Sequence, residues 1–153
     1  MINKKYKSIW LTGQPASGKT TLAKLLVEQI EKSHNVDGDD LRDLFQNKDY
    51  SKEGRYANIR LGMSISGYLI SKDMFPIVSL VSPYRELREE FKSKYKVLEV
   101  YVHTTEIRGR EDYHVEDYEP PQNNFLDLDT TIQTEKESMN EILNVYRQMA
   151  TLA

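Results

Sequence analysis

The sequence predicts an α/β protein of three layers, a parallel sheet with helices on both faces. Short apolar runs alternate with amphipathic helical stretches along the chain, the pattern of successive β-α units. The first apolar run, Ser8 to Thr12, leads directly into a glycine-containing loop and then a helix. No repeat, low-complexity tract or long linker interrupts the 153 residues, so a single domain over 1–153 is expected.

The elements follow in order. Thr20 to Glu31 has helical spacing, with Leu22, Leu25, Leu26 and Ile30 on one side. Asn35 to Asp40 is rich in aspartate and reads as a loop after a second strand ending near Val36. Lys52 to Lys72 reads as a long helix with Ile59, Met63, Ile65, Leu69 and Ile70 on its apolar surface. Phe75 to Val81 is a buried strand, with Pro76 marking its beginning. Tyr84 to Lys94 is a charged helix, and Val97 to Val102 is a further strand. The segment 106–124 is polar, aperiodic and holds Pro120 and Pro121. Phe125 to Asp129 is the last strand. The spacing Thr134-Glu135-Lys136-Glu137 is that of a capping box. It opens a terminal helix carrying Met139, Ile142, Leu143, Tyr146 and Met149 toward the core.

Composition narrows the function classes. The formal net charge of −3 argues against a surface that wraps a nucleic acid polymer, and leaves room for a local basic pocket. The absence of cysteine removes disulfides, thiolate metal sites and cysteine nucleophiles. The polar, basic start lacks the apolar run of about 7–15 residues of a secretory signal. No stretch approaches the roughly 20 apolar residues of a membrane span. A cytoplasmic protein with no membrane partner is expected.

Gly13-Gln14-Pro15-Ala16-Ser17-Gly18-Lys19-Thr20 has the G-x-x-x-x-G-K-[ST] spacing of a phosphate-binding loop (P-loop). Its glycines let backbone N–H groups turn inward onto phosphate oxygens, and the following helix adds the positive end of its dipole. Lys19 supplies a full charge to the β- and γ-phosphates, and the Thr20 hydroxyl is suited to Mg²⁺. The expected ATP contacts are Gly13, Ala16, Ser17, Gly18, Lys19, Thr20 and Thr21. A GTPase would carry an Asn-Lys-x-Asp motif, and none is present. A motor would end its apolar strand in an acid, whereas Phe75 to Val81 runs into Ser82-Pro83. The acids fall after the second strand, at Asp37 and Asp39, where small-molecule kinases often hold one against the acceptor hydroxyl.

Four segments together resemble the adenylylsulfate kinase family: Ile9 to Thr21, Val36 to Arg42 (VDGDDLR), Arg55 to Arg60 (RYANIR) and Val81 to Arg85 (VSPYR). Tyr118 to Thr130 is similar to the family's closing segment. The resemblance implies a P-loop kinase fold and transfer of the ATP γ-phosphate to the 3′-hydroxyl of adenosine 5′-phosphosulfate. It implies that Asp37 and Asp39 lie near the metal and the acceptor hydroxyl, with Thr20 and Asp37 serving Mg²⁺ and Asp39 orienting or deprotonating the hydroxyl. Arg42, Arg55 and Asn58 would hold the acceptor, and Tyr50 would stack on its base. Ser82, Pro83 and Tyr84 would form the wall beside it.

The chain departs from the family in its lid, taken as 106–124. The family's Lys-Gly-Leu-Tyr motif is absent, and Glu106 to Tyr113 runs almost directly into Glu119-Pro120-Pro121. Arg108 or Arg110 would cover the ATP base or stabilise the transferring charge; Arg110 is placed with the catalytic residues and Arg108 with the ATP contacts. Because the missing parts recognise the acceptor, a changed acceptor is expected, a small nucleotide 5′-conjugate such as cytidine diphosphoramidate. True adenylylsulfate kinase activity, or a sugar or nucleoside kinase, is the alternative, and a non-catalytic nucleotide binder is a third class. His34, His103 and His114 show no metal-ligand spacing. Association into a homodimer is left open.

Overall fold

The computed structural model describes residues 5–106, 108 and 114–152, with side chains described as far as residue 148. Ten elements follow one another: β1 (Ser8–Thr12), α1 (Lys19–Gln29), β2 (Ser33–Asp37), α2 (Gly38–Phe45), α3 (Lys52–Ser71), β3 (Phe75–Leu80), α4 (Arg85–Lys94), β4 (Val97–His103), β5 (Phe125–Asp129) and α5 (Glu135–Leu152). The strands form one sheet in the order β2-β3-β1-β4-β5, every pair parallel. The three-layer α/β expectation therefore holds.

β1 is central and buried along its whole length, as a strand covered on both faces must be. Its side chains alternate between two cores. Ile9 and Leu11 pack with Leu22, Leu26, Ile142 and Leu143 of α1 and α5. Trp10 faces the other way, with Ile59, Met63, Leu87 and Phe91 of α3 and α4. Met139 and Tyr146 pack at the edge of the first core, and Met149, expected to join them, lies beyond the described side chains. No helix among the described residues is long and apolar enough to cross a membrane.

The capping box is formed as spaced. The Glu137 amide donates to Thr134 Oγ1 and the Thr134 amide donates to Glu137 Oε1, both at 3.1 Å. The Thr134 amide, and then its hydroxyl, hold the Glu137 carboxyl below its usual range. That contribution is complete above the free-glutamate pKa of about 4.3 and is lost as pH falls through the lower folded value. Thr134→Ala is expected to lower stability by about 1 kcal/mol in a urea melt at neutral pH.

One expected loop is a helix. Asn35 to Asp40 contains the end of β2 and the start of α2. Asp37 is the N-cap of α2, its Oδ2 accepting from the Asp39 amide at 3.1 Å. The aspartate-glycine pair that resembles a turn is thus a helix start.

Candidate active site

The strand order reverses between β1 and β3, and their carboxyl ends lie level, with Thr12 beside Leu80. Ligands of open parallel sheets sit at such a switch point. A cleft of about 440 Å³ opens there.

The P-loop forms its floor. A Cβ at Gly13 would lie 2.0 Å from the Val102 carbonyl oxygen, so β4 packs too closely for any other residue. Ala16 (φ 62°) and Gly18 (φ 111°) take left-handed conformations, which turn successive amides toward one centre. α1 begins at Lys19 with no side-chain cap on its N-terminus, so its first amides face the cleft. Lys19 Nζ donates to the Gln14 carbonyl at 2.8 Å and to Ser17 Oγ at 3.4 Å. Ala16, Gly18, Lys19, Thr20 and Thr21 line the cleft, while Gly13 and Ser17 shape the loop from behind.

The acids occupy different positions. Asp37 is buried, and its Oδ1 accepts from Thr20 Oγ1 at 2.9 Å and from Ser79 Oγ at 2.7 Å. Parallel register places Asp37 opposite Ser79, so the sheet itself sets this contact. Asp39, in the first turn of α2, is exposed and lines the cleft. From α3, Arg55 and Asn58 reach the same wall. Asn58 is buried and donates to the Gly38 carbonyl at 3.3 Å, but its Oδ1 has no partner among the described residues. A buried acceptor left unmatched costs about 1–3 kcal/mol, which a ligand donor can recover.

The remaining acceptor-side residues divide. Arg42 and Tyr50 line the cleft and engage each other, the guanidinium lying 4.0 Å over the ring. Arg42 also donates to the Asn47 and Asp49 carbonyls at 3.1 and 3.0 Å. One face of Tyr50 is therefore covered by Arg42 rather than open to a base. Ser82 and Pro83 line the cleft, but the Ser82 hydroxyl accepts from Trp10 Nε1 at 3.0 Å and faces Thr12. Tyr84 is not part of the cleft; it caps α4 and packs 4.5 Å from the Tyr56 ring.

Arg108 reaches the P-loop from the other side. Its Nη1 donates to the Ala16 and Ser17 carbonyls at 3.1 and 3.2 Å, and its Nη2 to the Thr130 carbonyl at 3.1 Å. Arg110 lies outside the described residues. Val115 to Asn123 runs as a strap across the carboxyl ends of β1 and β3 and on to α4. Val115 pairs with Gln14, and the Glu119 amide donates to the Pro83 carbonyl at 2.9 Å. The Tyr118 phenol meets Thr12 Oγ1 at 2.6 Å. Burial raises the Tyr118 pKa above its usual value, so the phenol keeps its proton. Thr12 donates its own hydrogen to the Val81 carbonyl at 2.9 Å, which leaves Tyr118 as the donor of the pair.

The adenylylsulphate kinase family model matches residues 5–126. The chain belongs to the adenylylsulfate kinase family. It is 31% identical over 169 positions to the adenylyl-sulfate kinase of Gloeothece citriformis, covering 95% of this chain and 96% of that one. It is 32% identical to the enzyme of the same name from Halothermothrix orenii, covering 94% and 90%. The solved Mycobacterium tuberculosis adenylylsulfate kinase in complex with AMPPNP and adenylyl sulfate shares the fold, with TM-score 0.75 and 22% identity over 94% and 98% of the two chains. Membership makes this chain an ATP-dependent kinase whose acceptor is a hydroxyl group. The first alignment spans 169 positions but only 95% of a 153-residue chain, so about two dozen residues of that relative have no counterpart here.

Several residues of this kinase site have no role assigned from the sequence. Ser79, a lone hydroxyl in an apolar strand, holds Asp37. Thr130 fastens the P-loop through Ser17 O at 2.8 Å. Val115 lines the cleft from a segment without a motif, and Glu135 from inside the capping box, where it has no capping role. Only Ser79 broke a local pattern.

Proposed function

We propose that this kinase transfers the γ-phosphate of ATP to the 3′-hydroxyl of adenylyl sulfate. The observation that carries the reading is one cleft joining the P-loop to Asp39, Arg55 and Asn58, whose Oδ1 has no partner among the described residues. The names of the relatives support adenylyl sulfate as acceptor. They give no support to the changed acceptor expected from the lid, cytidine diphosphoramidate included. The residues missing relative to those enzymes support a shortened lid without requiring a new acceptor.

Phosphoryl transfer depends on positioning and on compensating charge over the moving group. Lys19 and the first amides of α1 receive the phosphates. Asp39, exposed at the cleft, orients the attacking hydroxyl and takes its proton. Arg55 supplies charge for the acceptor's anionic group, and Asn58 Oδ1 accepts from a hydroxyl or amine on it. Thr20 Oγ1 and the Asp37 carboxylate, 2.9 Å apart, are hard oxygen donors of the kind Mg²⁺ takes. These two would hold the ion, which when bound offsets charge on the β- and γ-oxygens.

The test is a parallel assay with ATP and Mg²⁺ on adenylyl sulfate, cytidine diphosphoramidate and simple sugars, with products identified by phosphorus NMR. Adenylyl sulfate is expected to lead in kcat/KM by ~10⁴-fold, the discrimination available to a site that pairs polar groups. A higher kcat/KM for any other acceptor overturns the reading.

A further inference from the structure

We propose that Gln14 is a positioning residue that latches the strap to the P-loop at the edge of the cleft. The P-loop pattern leaves this position free, so phosphate binding does not account for the side chain. Both ends of its side-chain amide are engaged across 101 residues of sequence: Nε2 donates to the Val115 carbonyl at 2.7 Å, and Oε1 accepts from the Val115 amide at 2.9 Å. Those are the two bonds a neighbouring strand would make. Val115 is buried and lines the cleft, so the latch sets one of its walls.

The same residue touches the phosphate-binding cation. The Gln14 carbonyl accepts from Lys19 Nζ at 2.8 Å. When Lys19 moves onto phosphate oxygens, that bond is exchanged at a peptide whose side chain holds the strap. Gln14 therefore links occupancy of the P-loop to the position of Val115. Further along, the strap has separate anchors, Tyr118 on Thr12 and the Glu119 amide on the Pro83 carbonyl. Loss of Gln14 thus releases the cleft end of the strap and leaves the rest in place.

Gln14→Leu keeps bulk and removes both bonds, while Gln14→Glu keeps an acceptor for the Val115 amide and loses the donor. Hydrogen exchange at the Val115 amide is expected to quicken about tenfold in Gln14→Leu, the loss of one hydrogen bond's protection, and less in Gln14→Glu. Exchange at the Glu119 amide stays as in the wild type. In steady-state assays the Leu variant raises KM for ATP or acceptor about tenfold, a similar free energy, with a smaller change in kcat. The positioning role rests on the kinase reading, but the exchange measurement needs no acceptor. It stands even if adenylyl sulfate is not the substrate, in which case the KM for ATP is read with whichever acceptor turns over. Unchanged Val115 exchange overturns the latch. Faster exchange at Val115 and Glu119 together, or faster Val115 exchange with unaltered KM, reduces Gln14 to a structural contact and overturns the positioning role.

Discussion

Lys19→Ala is expected to lower kcat by about 10²- to 10³-fold, the loss seen when one preorganised donor to developing charge is removed. Lys19 is 7% exposed at the floor of the cleft and is the lysine of the P-loop. Its bonds to the Gln14 carbonyl and Ser17 Oγ are local to the loop. Each contributes about 1 kcal/mol net, so the variant folds and melts within several degrees of the parent. The measurement is steady-state turnover with ATP and adenylyl sulfate beside a thermal melt. Turnover near that of the parent would remove Lys19 from the mechanism.

Arg88→Ala is expected to produce the largest loss of stability, about 3–5 kcal/mol, because it strips one partner from a buried ion pair. Arg88 and Glu99 are 1% and 2% exposed, with Nε donating to Oε2 at 2.7 Å. The guanidinium also donates to the Ser82 and Glu119 carbonyls, so it joins α4, β4, the cleft wall and the strap. Lys92 Nζ, 2.7 Å from Glu99 Oε1, compensates the remaining carboxylate only in part. For a chain of this size the Tm should fall by roughly 6–20 °C. Arg88→Lys should recover little, since one ammonium cannot reach along three directions as a planar fork does. A drop of less than 2 °C for Arg88→Ala would show that the pair carries no net stabilisation.

Arg88 also shows where sequence reading stops. Its helix reads as charged, yet this residue is among the largest fully buried side chains. What buries it is the strap, brought over α4 by backbone groups of Glu119, and a carbonyl leaves no mark in a residue pattern. Gln14 is invisible for the same reason, because its partner is the peptide of Val115. By contrast the P-loop is eight contiguous residues whose types follow from phosphate chemistry, and the strands are apolar runs buried on both faces. The Thr134–Glu137 box was legible because both partners lie within one turn. α2 was missed because it is eight residues long and opens on Gly38, so its cap resembles a turn. Arg55 and Asn58 were legible as a pair on one helix, whereas the Arg42 cover on Tyr50 depends on the loop between α2 and α3.

The central place of β1 has a consequence for how the chain is made. Ile9 pairs with Ile77 and Ser8 with Val97, so β1 waits for two neighbours that are synthesised after it. At about 5–20 residues per second, roughly 5–20 s separate β1 from the end of β4. Until β3 is made this apolar strand has two open edges, and until β4 is made one of them stays open. Any chain ended before residue 97 lacks one side of its central strand, so the sheet can close only once β4 has been made, and such truncated chains are the species expected to need chaperones.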